Sequence, residues 1–306
     1  MQSLVCVLAQ HVVFEGASSL LKEILGINLS GKQIQRVSEW YGKQIDPIIE
    51  ANQSEYIPQL PQPKTNDERT YVMLDGSMVY TREEKWKEMK LARLFHESQN
   101  VGIQKSRNEI VKSVYVSHLG SVDGFCPKLE RHMSTIKTRK VFITDGAKWI
   151  WNWVEDNYPG STQILDYYHA VEKIENLARL HFKDQKSKKK WLDEQKKLLM
   201  EDGVANVINN LQHFKSKNAE VARAKQTAIR YYTEHEDRMM YKTYKSKGLL
   251  IGSGPIEAAH RNVIQQRMKL SGQKWSKSGV QAIANLRCYH QSGAWNIVKN
   301  LIKLAA

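Results

Sequence analysis

Residues 140–150 read KVFITDGAKWI. An apolar, β-branched run reaches Asp145-Gly146 and passes directly into KWIWNWVEDNYP, whose patterning is helical. Asp-Gly between apolar runs is a strong signal for a two-residue hairpin, because glycine tolerates positive φ. A hairpin needs a second strand, and a helix follows here instead. Asp145 therefore reads as the residue at the C-terminal end of a strand, where the active sites of open α/β sheets gather. YVMLDGSMVY at 71–80 repeats the arrangement. Alone it reads as a hairpin; beside the second copy it reads as a strand that carries Asp75 to a place next to Asp145.

Working outward, TYVMLDGSMVY, KWKEMKLARLFHE and EIVKSVYVSHLG are three β-rich runs, followed by a helix in VDGFCPKLERHMSTI. Then come the strand KVFITDGA, the Trp-rich helix and the strand STQILDYYHA, which together predict an α/β fold with a mixed sheet. Trp149, Trp151 and Trp153 are expected mainly to pack. From about 171 to 247 the chain turns helical and heavily charged. Its run Lys-Ser-Lys-Lys-Lys at 186–190 reads as a solvated face or as a track for phosphates. A helix from Pro255, a break at Ser271-Gly272 and further helix close the chain. At the other end, residues 3–25 carry apolar residues at helical spacing up to Gly26, and Ser30 is a good N-cap for GKQIQRVSEWYGKQIDPIIEA. Helix, short turn, helix resembles a DNA-binding helix-turn-helix, with Lys32, Gln33, Gln35 and Arg36 able to reach DNA. A helical hairpin that merely packs is the commoner alternative. Residues 52–69 hold three prolines and few large apolar side chains, and read as a linker.

Composition narrows the function class. At 306 residues, 41% hydrophobic and 25% charged, the chain can bury a core for one large domain or two. No apolar stretch reaches the roughly 20 residues that span a bilayer, and MQSLVCVLAQHVVFEG lacks the basic start of a secretory signal, so a cytoplasmic protein without a membrane partner is expected. Cys6, Cys126 and Cys288 are far apart with no CxxC, which points away from a disulfide framework or a zinc finger. Lys and Arg number 46 against 32 Asp and Glu, a net charge of +14. Such an excess favours a polyanion, nucleic acid foremost, although charge alone also suits anionic membranes or ribosome-like assemblies.

A third acidic candidate lies in GSGPIEAAHRNVIQQRMKLSG, residues 252–272. Gly254 can cap a helix, Pro255 suits its first position, and Glu257 falls in the first turn, where the helix dipole favours a carboxylate. That placement, or an i,i+4 pair with Arg261, explains Glu257 structurally. A stripe of Ile256, Ala259, Val263 and Leu270 would pack one face and leave Glu257 on its flank beside a glycine-rich approach.

LDGSMV, ITDGAKWIWNWV, ILDYYHAVEKI and IGSGPIEAAHRNVIQQRMKLSGQKWS, in this order between about residues 70 and 295, resemble the blocks of bacterial insertion-sequence DDE transposases. The resemblance implies a ribonuclease H-like, retroviral integrase-like core: a mixed five-stranded sheet flanked by helices, with an N-terminal helical region and an all-α insertion before the last catalytic helix. It implies that Asp75 on the first strand, Asp145 at the end of the fourth and Glu257 on a later helix are catalytic and hold two Mg²⁺ ions, for which Mn²⁺ can substitute. Asp166 and His169 match an Asp-x-x-His signature and would support the ligands from behind; Asp166 reads as well as a helix N-cap, and His169 as a core residue at a helix start. Arg261, Arg267, Lys269 and Lys274 could contact DNA phosphates, although helix surfaces commonly carry such charges, and Trp275 could stack on an unpaired base near the cleaved end.

Asp75 and Asp145 stand 70 positions apart, room for two strands and a helix; the 112 positions from Asp145 to Glu257 exceed what a strand and a helix need, so an inserted domain is required. The expected organisation is a helical, possible helix-turn-helix region at 1–51, a linker at 52–69, the first part of the core at 70–170, the insertion at 171–247, and the last part of the core with C-terminal helices at 248–306. Members of this kind often carry more sequence ahead of the first helical region, so a copy lacking part of its DNA-binding domain is one expectation. The implied partner is double-stranded DNA, both element ends and target, bound by a homodimer or larger assembly in the bacterial cytoplasm at the nucleoid. Two further classes share these residues: a ribonuclease H-like nuclease without strand transfer, and a catalytically silent DNA-binding derivative.

Overall fold

The computed structural model describes residues 1–104 and 107–304; the last two residues of the expected 248–306 segment lie outside the described residues. The fold is α/β, with a mixed five-stranded sheet in the order β5-β2-β1-β6-β7. β1 (Arg69–Thr81) pairs antiparallel with β2 (Lys85–His96), and β2 pairs antiparallel with β5 (Val114–Leu119). β6 (Arg139–Thr144) and β7 (Thr162–Leu165) are parallel. A separate hairpin of β3 (Asn100–Gln104) and β4 (Arg107–Ile110) interrupts what the sequence suggested was one β-rich run at 109–120. The chain divides into two compact units: Met1–Lys140 with Gly254–Ala306, and Val141–Ser253.

In the first unit, β1 runs straight through Asp75-Gly76 in unbroken register with β2. The hairpin reading of this Asp-Gly therefore fails, and the turn lies between Thr81 and Lys85. Gly76 sits under the Glu88 side chain, whose carboxylate end a Cβ there would push aside, and it makes no turn. Tyr71 to Leu74 are buried without alternation, as a strand covered on both faces requires.

α1 (Gln2–His11) and α2 (Phe14–Leu25) are two helices where the spacing suggested one, because Val12 and Val13 take extended backbone, which β-branched residues favour. α3 (Gly31–Glu50) starts at Ser30 with a full capping box to Gln33. It packs on α13 (Lys277–Gln291) so closely that a Cβ on Gly42 would overlap the Ala282 backbone. Gly42→Ala must push two helix backbones apart and is expected to cost about 2 kcal/mol, read as a lowered thermal midpoint. Near this seam, Lys128 of α4 (Val122–Met133) donates to Asp46 at 2.5 Å and to Asn285 at 2.9 Å, so its buried charge is paired.

In the second unit, α5 (Lys148–Asn157) buries Trp151 and Trp153, as expected of packing residues. β7 ends at Leu165, and DYYHA belongs to α6 (Tyr167–His181) rather than to the strand, because the Asp166 side chain caps the helix. α7 (Gln185–Met200), α8 (Val204–His213), α9 (Ala219–Glu234) and α10 (Tyr241–Ser246) supply the helical segment read from the sequence. Cys6, Cys126 and Cys288 are free and buried. No helix among the described residues is long and apolar enough to cross a membrane.

Candidate active site

In the first unit, α11 (Gly254–Ala259) carries Glu257 in its first turn and packs against β1 and β2. Arg93 of β2 fastens it, donating from Nη1 to the Pro255 carbonyl at 2.9 Å. Glu257 is exposed, whereas Ile256 and Ala259 are buried, so the carboxylate stands on the flank of the apolar stripe as expected. Leu270 is a correction to that stripe: it is exposed, beyond the helix end at Met268. Between α11 and the short α12 (Gln266–Met268) the backbone widens into a π-helical turn, His260–Gln265.

That turn brings His260 to Asp75. The imidazole is buried, and its Nε2 lies 3.4 Å from Asp75 Oδ2. Neither ring nitrogen makes a hydrogen bond of good geometry among the described residues, although the Asp75 backbone carbonyl also lies beside the ring. Burial pushes its pKa down to about 4, against the opposing pull of the Asp75 backbone carbonyl. Asp75 itself is half-buried, and its Oδ1 accepts from the Gly76 N–H at 2.7 Å.

The second unit holds the other sequence candidates. Asp145 follows β6 directly; its Oδ1 accepts from the Ala147 N–H at 3.0 Å and its carbonyl from Trp151 Nε1 at 2.8 Å. Asp166 is fully buried. One carboxylate oxygen caps α6 by accepting from the His169 N–H at 2.7 Å; the other accepts from the Ser253 N–H, immediately before α11. Burial pushes this carboxyl up, but the hydrogen bonds from His169 and Ser253 outweigh it and hold the pKa below the ordinary value. His169 Nδ1 sits 3.3 Å from Asp166 Oδ1, and the bond to Asp166 lifts the imidazole to about 9.

Because His169 binds its proton more tightly when folded, this pair stabilises fully below pH 6.5, and the gain is lost as pH rises through about 9. The ring is 32% exposed, so solvent screening reduces the effect to about 1–2 kcal/mol. Urea unfolding between pH 6 and 10 is expected to show that decline, and His169→Gln to flatten it.

Tyr231 of α9 was not anticipated. Its ring fills the space where a Cβ on Gly146 would lie, Lys173 Nζ stands 4.7 Å from the ring centre, and burial followed by the charge of Asp145 raises its hydroxyl pKa. His260 was also missed, although it lies three positions after Glu257 and so close to its helix face.

Of the expected DNA contacts, Lys32, Arg36, Arg261, Lys269 and Lys274 are exposed. Gln35 is half-buried and donates to Glu39 at 2.6 Å. Arg267 and Trp275 are corrections. Arg267 is buried with its guanidinium 4.7 Å from the Phe14 ring centre and 4.8 Å from that of Trp275, and Trp275 donates from Nε1 to the Met268 carbonyl. A weakly hydrated guanidinium between aromatic faces is at home in a core, so both side chains face inward rather than toward DNA.

Among the described residues no three acidic, histidine or cysteine side chains are gathered as a ready metal cage. The donors nonetheless suit a hard cation: Asp75 and Asp145 are half-buried and Glu257 is exposed, all three offering oxygen. Mg²⁺ typically takes one or two protein carboxylates and completes its shell with water and phosphate. A family model matches residues 46–300, and the chain belongs to that family, described as an uncharacterised protein family, UPF0236. No curated protein matches the chain.

Proposed function

Taking the chain as a member of UPF0236, we propose that it is a DDE transposase with a ribonuclease H-like core, cutting and joining DNA at the ends of an insertion sequence. The observation that supports this most is the packing of α11, the helix bearing Glu257, on β1, the strand bearing Asp75, with His260 of the same helical segment 3.4 Å from Asp75. Two acids separated by most of the chain belong to neighbouring elements, as the reading requires of them. The third, Asp145, follows a strand directly, as the reading also requires.

On this reading Asp75, Asp145 and Glu257 would hold two Mg²⁺ ions, or Mn²⁺ in their place, which supply activation of an attacking oxygen and stabilisation of the leaving 3′ oxygen. The protein's own residues act around that chemistry. Asp166 accepts from the Ser253 N–H and so holds the backbone of its own unit at that point. Lys32, Arg36, Arg261, Lys269 and Lys274 offer exposed cationic or hydrogen-bonding groups to double-stranded DNA, both element ends and target. Joining two ends in one event favours a dimer or larger assembly on the DNA.

The test is incubation of the purified protein with Mg²⁺ and a duplex carrying the sequences that flank its gene. Nicking at the element end followed by joining to a target plasmid supports transposition. Nicking without joining identifies a nuclease, and specific binding without either identifies a silent DNA-binding protein.

A further inference from the structure

A buried histidine whose ring nitrogens meet only loosely placed polar neighbours calls for an explanation, because burial strips such a group of the water that would otherwise satisfy it. His260 is 2% exposed; its polar neighbours are the backbone carbonyl and the carboxylate of Asp75, and neither ring nitrogen makes a hydrogen bond of good geometry to them. Its position is also costly to build. It opens the π-helical turn His260–Gln265, a distortion that recurs at functional sites because it re-aims side chains at the expense of regular hydrogen bonding. A second buried side chain supports that turn: Arg287 of α13 donates to the Val263 carbonyl at 2.6 Å and to the Asn262 carbonyl. The feature lying next to His260 Nε2 is the Asp75 carboxylate, at 3.4 Å.

We propose that His260 is a positioning residue for Asp75: Nε2–H is directed at Oδ2 while the Gly76 N–H holds Oδ1, so that the carboxylate presents itself to a divalent cation in one fixed rotamer. The inference rests on the metal-dependent reading of Asp75. A buried imidazole cannot exchange protons directly with a substrate, so its role is to orient rather than to act as an acid or base. Groups that orient a ligand in this way typically change metal affinity by about 10- to 100-fold when removed.

Nitrogen-15 NMR of histidine-labelled protein tests this in the unmodified chain, with the His260 signals assigned by comparison with His260→Gln. The expected result is the Nε2–H tautomer, with a shift that moves on addition of Mg²⁺ and does not move in Asp75→Asn; the Nδ1–H tautomer would overturn the proposal. Mn²⁺ affinity by calorimetry supplies the second measurement. His260→Ala is expected to weaken binding about 10-fold or more, and His260→Gln, which retains an amide donor, to restore most of it. If His260→Ala does not fold, the tautomer and the glutamine variant decide. Mn²⁺ binding lost in Asp75→Asn but intact in a folded His260→Ala defeats the positioning role alone. Binding unchanged in Asp75→Asn defeats the metal reading and this inference with it.

Discussion

Asp75→Asn, Asp145→Asn and Glu257→Gln are each expected to reduce Mg²⁺-dependent nicking and joining of element-end DNA by about 10³-fold or more, with native circular dichroism and thermal midpoint retained. Each change keeps the shape of the side chain and removes the charge of one oxygen donor. A loss of 10³-fold is about 4 kcal/mol of barrier, within what metal-assisted charge stabilisation supplies. The fold should tolerate the changes because Glu257 is exposed and Asp75 and Asp145 are half-buried. Double variants should lose little more than single ones, since groups that act as one unit are not additive. Wild-type rates in any one of the three variants would remove that residue from the proposed set.

Arg287→Ala is expected to be the most destabilising single substitution considered, by about 4 kcal/mol in urea unfolding. The guanidinium is buried, and its hydrogen bonds go to backbone carbonyls rather than to a carboxylate: Val263, Asn262 and Gln10. Burial lowers its pKa to about 10, so it stays charged at neutral pH. Truncation leaves three carbonyls without their donor and a cavity where the fork had been. It also unties α1 from the π-helical turn, since Gln10 is on one and Asn262 and Val263 on the other. Arg287→Lys keeps a charge but not the planar fork, and should recover only part of the loss. Stability equal to wild type in Arg287→Ala would show that the turn does not depend on this support.

Much of the α/β arrangement was legible because it rests on local patterns. The β-branched run before Asp145 and the helical run after it excluded a hairpin, and the capping box at Ser30 and Gln33 marked the start of α3. The first Asp-Gly was harder to read, because in isolation it matches a turn; β2 pairing straight across Gly76 decided it, and the partner strand lies beyond the reach of local rules. The β3-β4 hairpin was missed because a short exposed hairpin lacks a buried face to give it alternation.

Among the candidate residues, the sequence by itself determined the donor types: carboxylates on a strand (Asp75), after a strand (Asp145) and in a helix's first turn (Glu257), together with an excess of Lys and Arg. Tertiary structure alone decided which side chains face inward. Arg267 and Trp275 look like surface DNA contacts until Phe14, far earlier in the chain, closes over the guanidinium. His260 looks like any helical histidine until a widened turn points it at Asp75. The physical reason is that charge and propensity belong to a residue, whereas burial and the direction of a side chain belong to the neighbours that the rest of the chain brings to it.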